Sequence, residues 1–163
     1  MVFNRLGFSG DRVVFNSRRS GPLTVTKNGD RLTLDFPSDQ LTPVEHDANL
    51  LTCFNITPVR IFRGRTDFVF EFTSESDIRN LIPDLRKIAA LDARGVIVTA
   101  PGKEVHFVSR FFGPACGVDE DPVTGSAHTT LVPFWSDRLG RDTLTARQLS
   151  DRKSTRLNSS HRT

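Results

Sequence analysis

The sequence predicts an α/β (α+β) protein in which short strands pack on one long buried helix. Three observations carry this. Residues 11–36 alternate apolar and polar side chains in two segments joined by Asn28-Gly29-Asp30. Val96-Ile97-Val98-Thr99-Ala100 is a nearly unbroken apolar run, as in a strand covered on both faces. Ala127, Leu131, Trp135 and Leu139 form an i, i+4 ladder broadened by Val132 and Phe134, the mark of a helix buried over most of its girth.

Taken in order, Arg12–Asn16 reads as a strand running to the turn Ser20-Gly21-Pro22. Leu23–Thr26 and Leu32–Phe36 follow as a hairpin, with Leu23, Val25, Leu32, Leu34 and Phe36 on one face and Pro37 as the stop. Thr42-Pro43 suits the cap and first position of a short helix reaching about Leu51. Val59–Phe62 and Phe68–Phe72 read as strands around Arg63-Gly64-Arg65. Ser74–Asn80 and Pro83–Leu91 read as short helices with polar starts. After the apolar run, Glu104–Phe112 alternates as a further strand, with Val105, Phe107 and Ser109 on one face. The long helix covers about 124–139, is interrupted by Pro133 and stops at Gly140. Leu144–Leu149 is a last strand.

Composition narrows the function. The net charge of +3 looks basic, yet Arg152, Lys153, Arg156 and Arg162, set against Asp151, account for the excess. Residues 1–150 carry 18 basic and 18 acidic side chains, so the body offers no stripe for phosphate backbones and no nucleic-acid partner is expected. No apolar run is long enough to span a bilayer, and no membrane partner is expected. Cys53 and Cys116 form no spacing pattern and read as free thiols of a reducing, cytoplasmic setting. The scattered histidines form no metal-ligand pattern, and no cofactor is expected. The polar tail 151–163 lacks any period. It is expected to be disordered and has the look of an adapter-derived artefact, so it stays outside the fold.

The chemistry concentrates in Asp121-Pro122-Val123-Thr124-Gly125-Ser126-Ala127, at the mouth of the buried helix. First-turn N–H groups lack internal partners and favour an anion. Gly125 permits close backbone approach, and Thr124 and Ser126 add small hydroxyls. Asp121 adds a carboxylate able to hold a polar group or handle a proton beside a carboxyl group. The alternative is ordinary capping, with Asp121 or Thr124 as cap and Pro122 in the first turn. Local physics leaves both open. A Ser-His-Asp hydrolase is rejected: Ser126 and His128 lie two positions apart, about 200° around a helix, and do not meet. His46, His106 and His128 read as satisfied polar groups, Cys53 and Phe54 as core, and Cys116 as a small, partly buried residue near the motif.

Arg110-Phe111-Phe112-Gly113-Pro114-Ala115, followed by Glu120–His128 and by Pro133-Phe134-Trp135, resembles the signature of the PhzF-like (phenazine biosynthesis) family. Ser20–Val25, Leu34–Pro37 and Arg94–Gly102 match in order, so the resemblance runs over roughly residues 11–150. It implies a diaminopimelate-epimerase-like fold, in which a mixed sheet rolls around a central helix in each of two lobes. Residues 1–37 would end the first lobe and 38–150 would form the second. It also implies a cofactor-independent isomerase or epimerase moving a proton on a small carboxylic acid, and leaves room for a homodimer. Asp121 and Ser126 would assist catalysis, the backbone of Thr124–Ala127 would hold the substrate carboxylate, and Glu120 would be structural. The family's principal acid/base glutamate and a Gly-His or Gly-Asn segment of the first lobe have no match here, and Glu45 is not assigned that role. The chain is therefore expected to be a fragment, incomplete at both ends and inactive alone. The rival is a non-catalytic binding module that grips an acidic metabolite with Thr124–Ala127.

Overall fold

The computed structural model describes residues 10–17, 21–45, 47–150 and the backbone of 155–160. It falls into two compact units, one ending at Ser38 and one beginning at Asp39. The turn expected at Ser20-Gly21-Pro22 lies partly outside the described residues, and His46 lies wholly outside them.

The first unit holds a three-stranded antiparallel sheet of β1 (Arg12–Ser17), β2 (Gly21–Asn28) and β3 (Arg31–Asp35). Val13, Val25 and Leu34 stand opposite one another across it. Gly29, at φ 61°, makes the turn between β2 and β3.

The second unit is a mixed sheet covered by helices. Its strands are β4 (Thr42–Val44), β5 (Arg60–Arg63), β6 (Asp67–Glu71), β7 (Gly95–Pro101), β8 (Phe107–Gly113), β9 (Val118–Asp121), β10 (Thr143–Gln148) and β11 (Thr155–Ser160). The order is β11-β10-β8-β7-β6-β5-β4, with β9 also on β8. The β6–β7 and β8–β10 pairs are parallel and the others antiparallel. Alternate side chains feed two cores, as the strand period requires. Phe70, Val96, Val98, Val108 and Phe112 face the short helices α1 (Ala48–Leu51), α2 (Glu75–Asn80) and α3 (Leu85–Ala89). Val69, Ile97, Phe107 and Phe111 face the long helix α4 (Gly125–Leu139), through Ala127, Leu131 and Trp135. Trp135 stacks on Phe107 and donates from Nε1 to Thr99 Oγ1 at 3.0 Å.

Three expectations are corrected. The helix expected from Pro43 to Leu51 is only α1, capped by Asp47, whose Oδ1 accepts from Leu50 N at 2.9 Å. Thr42–Val44 is instead the edge strand β4, where a proline forfeits no central ladder bond. Leu139 is 40% exposed and leaves the buried ladder, because it lies in the last turn before Gly140. The tail expected to be disordered contributes β11, in register Thr143↔Ser160 to Gln148↔Thr155. An edge strand recruits a partner through backbone groups, so that pairing needs no apolar pattern.

One topological detail places the site. The outer edge of β8 is shared: β10 pairs with Phe107–Ser109, and β9 pairs with Phe111 and Gly113. Asp121 therefore ends β9 directly opposite Phe111, four residues before α4 begins.

Candidate active site

Neither ordinary cap forms at the start of α4. Thr124 is the N-cap by backbone, but its side chain makes no cap bond. Its Oγ1 donates to Asp121 Oδ2 at 2.8 Å, and Val123 N donates to Asp121 Oδ1 at 3.2 Å. The Asp121 carboxylate is thus held outside the helix. Thr124 N is bound by Gln148 Oε1 at 2.8 Å, and Ala127 N bonds back to Thr124 O at 3.2 Å. The N–H groups of Gly125 and Ser126 remain without a protein partner among the described residues. Of the four backbone positions expected to grip a carboxylate, those two have free donors. A Cβ built at Gly125 meets nothing within 4 Å, so the backbone there faces open space.

These groups line a cleft of about 280 Å³ with Arg94, Phe111, Cys116 and Val118. Arg94 is the main residue that sequence reasoning missed. Its Nε donates to Asp67 Oδ1 at 2.9 Å, and its Nη2 donates both to Asp67 Oδ2 and, at 2.9 Å, to Ser126 Oγ. The guanidinium carbon lies 5.2 Å from the centroid of the Phe111 ring. Gly95 makes that approach possible, since a Cβ there would sit 2.5 Å from Phe112 O and 2.6 Å from Phe111 Cζ. The hydrogen bonds that Arg94 donates to the Asp67 carboxylate raise the Arg94 pKa further, against the opposing effect of burial.

Gln148 is the second residue missed. It is 0% exposed, and its Nε2 donates to Asp121 O at 2.6 Å and to Thr124 Oγ1 at 3.1 Å. Together with its bond from Thr124 N, it ties the end of β10 to the loop that presents Asp121. The available signal was an amide at the inward position of an alternating strand, after Leu144 and Ala146.

The remaining candidates separate from the cleft. Glu120 forms a two-pronged ion pair with Arg110, at 2.8 and 2.9 Å, and Arg110 also donates to Ile78 O and Leu81 O. His128 does not meet Ser126. Its Nδ1 bonds to Thr124 O at 3.1 Å, its Nε2 is buried without a partner, and burial lowers its pKa. His106 pairs with Thr145 away from the cleft. Cys116 is exposed, with its Sγ 3.5 Å from Arg94 O. Among the described residues, no three His, Cys, Asp or Glu side chains gather closely enough to hold a metal ion. No helix among them is long and apolar enough to cross a membrane.

The phenazine biosynthesis-like (PhzC-PhzF) family model matches residues 3–159 of this chain. The chain belongs to that family. Among its relatives, an uncharacterized isomerase of Pseudomonas aeruginosa is 46% identical over 143 residues, covering 88% of this chain and 54% of the relative. An uncharacterized isomerase of Halalkalibacterium halodurans is 40% identical, covering 82% of this chain and 52% of the relative. The crystal structure of a PhzF-family phenazine biosynthesis protein from Enterococcus faecalis superposes with a TM-score of 0.89 at 36% identity, over 99% of this chain and 61% of that one. The chain spans about half the length of the curated relatives it matches. Its mixed α+β architecture agrees with the solved PhzF-family structures.

Proposed function

We propose that this chain supplies one half of the active site of a cofactor-independent isomerase that moves a proton on a small carboxylic acid. The carrying observation is that Asp121 and an uncapped helix start share one cleft, with the ordinary caps diverted to hold Asp121. The free N–H groups of Gly125 and Ser126 would bind the substrate carboxylate, aided by the positive end of α4. Asp121 would accept the proton from the neighbouring carbon. The electron pair left behind would spread into the bound carboxylate, where the same donors stabilise the growing charge. Ser126 would donate a hydrogen bond to that oxygen.

Asp121 is the only carboxylate lining the cleft among the described residues. A second group must return the proton to a different carbon or face. We place it in a preceding lobe of a diaminopimelate-epimerase-like arrangement, and the chain alone is then inactive. The relatives named isomerases support the reaction class, and the free thiols Cys53 and Cys116 fit a cytoplasmic setting.

A structure of the chain with benzoate tests the location. The expected carboxylate position is within about 2.7–3.2 Å of Gly125 N and Ser126 N. Benzoate seated instead in the larger groove of Phe54, Ile82 and Leu85 would refute the assignment.

A further inference from the structure

Arg94 is fixed more firmly than a salt bridge to a surface carboxylate requires. Asp67, which receives its fork, is 2% exposed and heads β6, an interior strand of the sheet. The Arg94 side chain is 36% exposed and lines the cleft. Its Nη1 has no partner among the described residues.

Hydrogen-bond polarity then decides what Ser126 does. A guanidinium only donates, so Ser126 Oγ must accept from Arg94 Nη2. The hydroxyls of Thr129 and Thr130 bond to the Ser126 carbonyl, not to its side chain. No protein acceptor among the described residues takes the Ser126 hydroxyl proton. That proton is left to the cleft, beside the free N–H groups of Gly125 and Ser126.

We infer that Arg94, locked by Asp67, is a substrate-binding and orienting residue of this site: it makes Ser126 a donor and offers Nη1 to a second oxygen of the bound acid. This rests on the reading above that the cleft takes a carboxylate. A structural ion pair alone would need only a cation opposite Asp67. The Arg94 fork holds Asp67 with two nitrogens and still reaches Ser126, which a point-charge ammonium cannot do.

The test is benzoate titration of the full chain, followed through backbone amides and the Arg94 Nε resonance. Arg94→Lys keeps the charge opposite Asp67 and is expected to weaken benzoate about 10-fold, the loss of one charge-assisted hydrogen bond. Ser126→Ala is expected to weaken benzoate about 5-fold in the native chain but less than about 2-fold in the Arg94→Lys background, because the pair acts as a unit. In the unaltered chain, the Arg94 Nε signal is expected to move with the same midpoint as the Gly125 amide, which needs no variant to fold. An unmoved Arg94 signal at saturation, or equal Ser126→Ala effects in both backgrounds, overturns the inference while the Gly125 shift leaves the cleft reading standing. Absence of any benzoate-induced shift at Gly125 and Ser126 overturns the cleft reading and the inference together.

Discussion

Replacing Gln148 with leucine probes how the site is built. Gln148 is fully buried and makes three bonds, to Thr124 N, Asp121 O and Thr124 Oγ1. Leucine fills a similar volume, so the chief effect is lost pairing, not a cavity. Thr124 is 6% exposed, so its N–H would be left buried without a partner. A buried unpaired donor costs about 1–3 kcal/mol, and the Asp121 carbonyl adds a smaller share because that residue is only half-buried and can rehydrate. Thr124 Oγ1 keeps its bond to Asp121. The expected total is about 2–4 kcal/mol. With a urea slope near 2 kcal/mol/M, the unfolding midpoint should fall by roughly 1–2 M. The lone tryptophan, Trp135, sits 4% exposed in α4 and reports the transition by fluorescence. Hydrogen exchange at the Thr124 amide should accelerate more than that at β7 amides. A midpoint within experimental error of the native chain, with Thr124 still protected, would refute the claim that Gln148 holds the loop.

Other perturbations should respond as follows. Arg110→Met strands Glu120 and two buried carbonyls, and should destabilise by about 3–5 kcal/mol in the same urea assay. Burial holds the His128 pKa below its ordinary 6.5, so its neutral form stabilises the fold fully above that value. Stability should fall as pH drops from about 6.5 through the lowered folded value, and His128→Gln should flatten this part of a thermal-melt pH profile. Burial pushes the Cys53 thiol up to about 11, whereas Cys116 is exposed in the cleft. Iodoacetamide at pH 8 should therefore modify Cys116 and spare Cys53 by peptide mapping, and the adduct should abolish benzoate shifts at Gly125.

The sequence carried the local features and not the long-range ones. The strand at Val96–Ala100, the helix ladder from Ala127 and the Asp121–Ser126 segment each announce themselves within a few residues. Asp67, Arg94 and Ser126 are 27 and 32 positions apart, and nothing local marks Asp67 as the anchor of the other two. Gln148 looks like an ordinary strand residue until β10 is seen to share the edge of β8 with β9. Pro43 misled because the same Thr-Pro pair serves a helix start and a sheet edge, and only the β4–β5 pairing decides between them. The capping ambiguity at Asp121 and Thr124 was resolved by hydrogen bonds that a one-dimensional pattern does not contain.

The most direct test of the half-site is deuterium incorporation from heavy water. Residues 39–150 of this chain would replace the matching half of the Pseudomonas aeruginosa isomerase, and solvent deuterium would be followed into small carboxylic acids, chosen by first screening the parent isomerase for exchange. Exchange is expected from the chimera and not from the chain alone, with a loss of about 100-fold or more on Asp121→Asn at unchanged fold. Undiminished exchange with Asp121→Asn would contradict it. Benzoate binding at Gly125 by a correctly folded chimera that exchanges no proton would favour the binding-module reading instead.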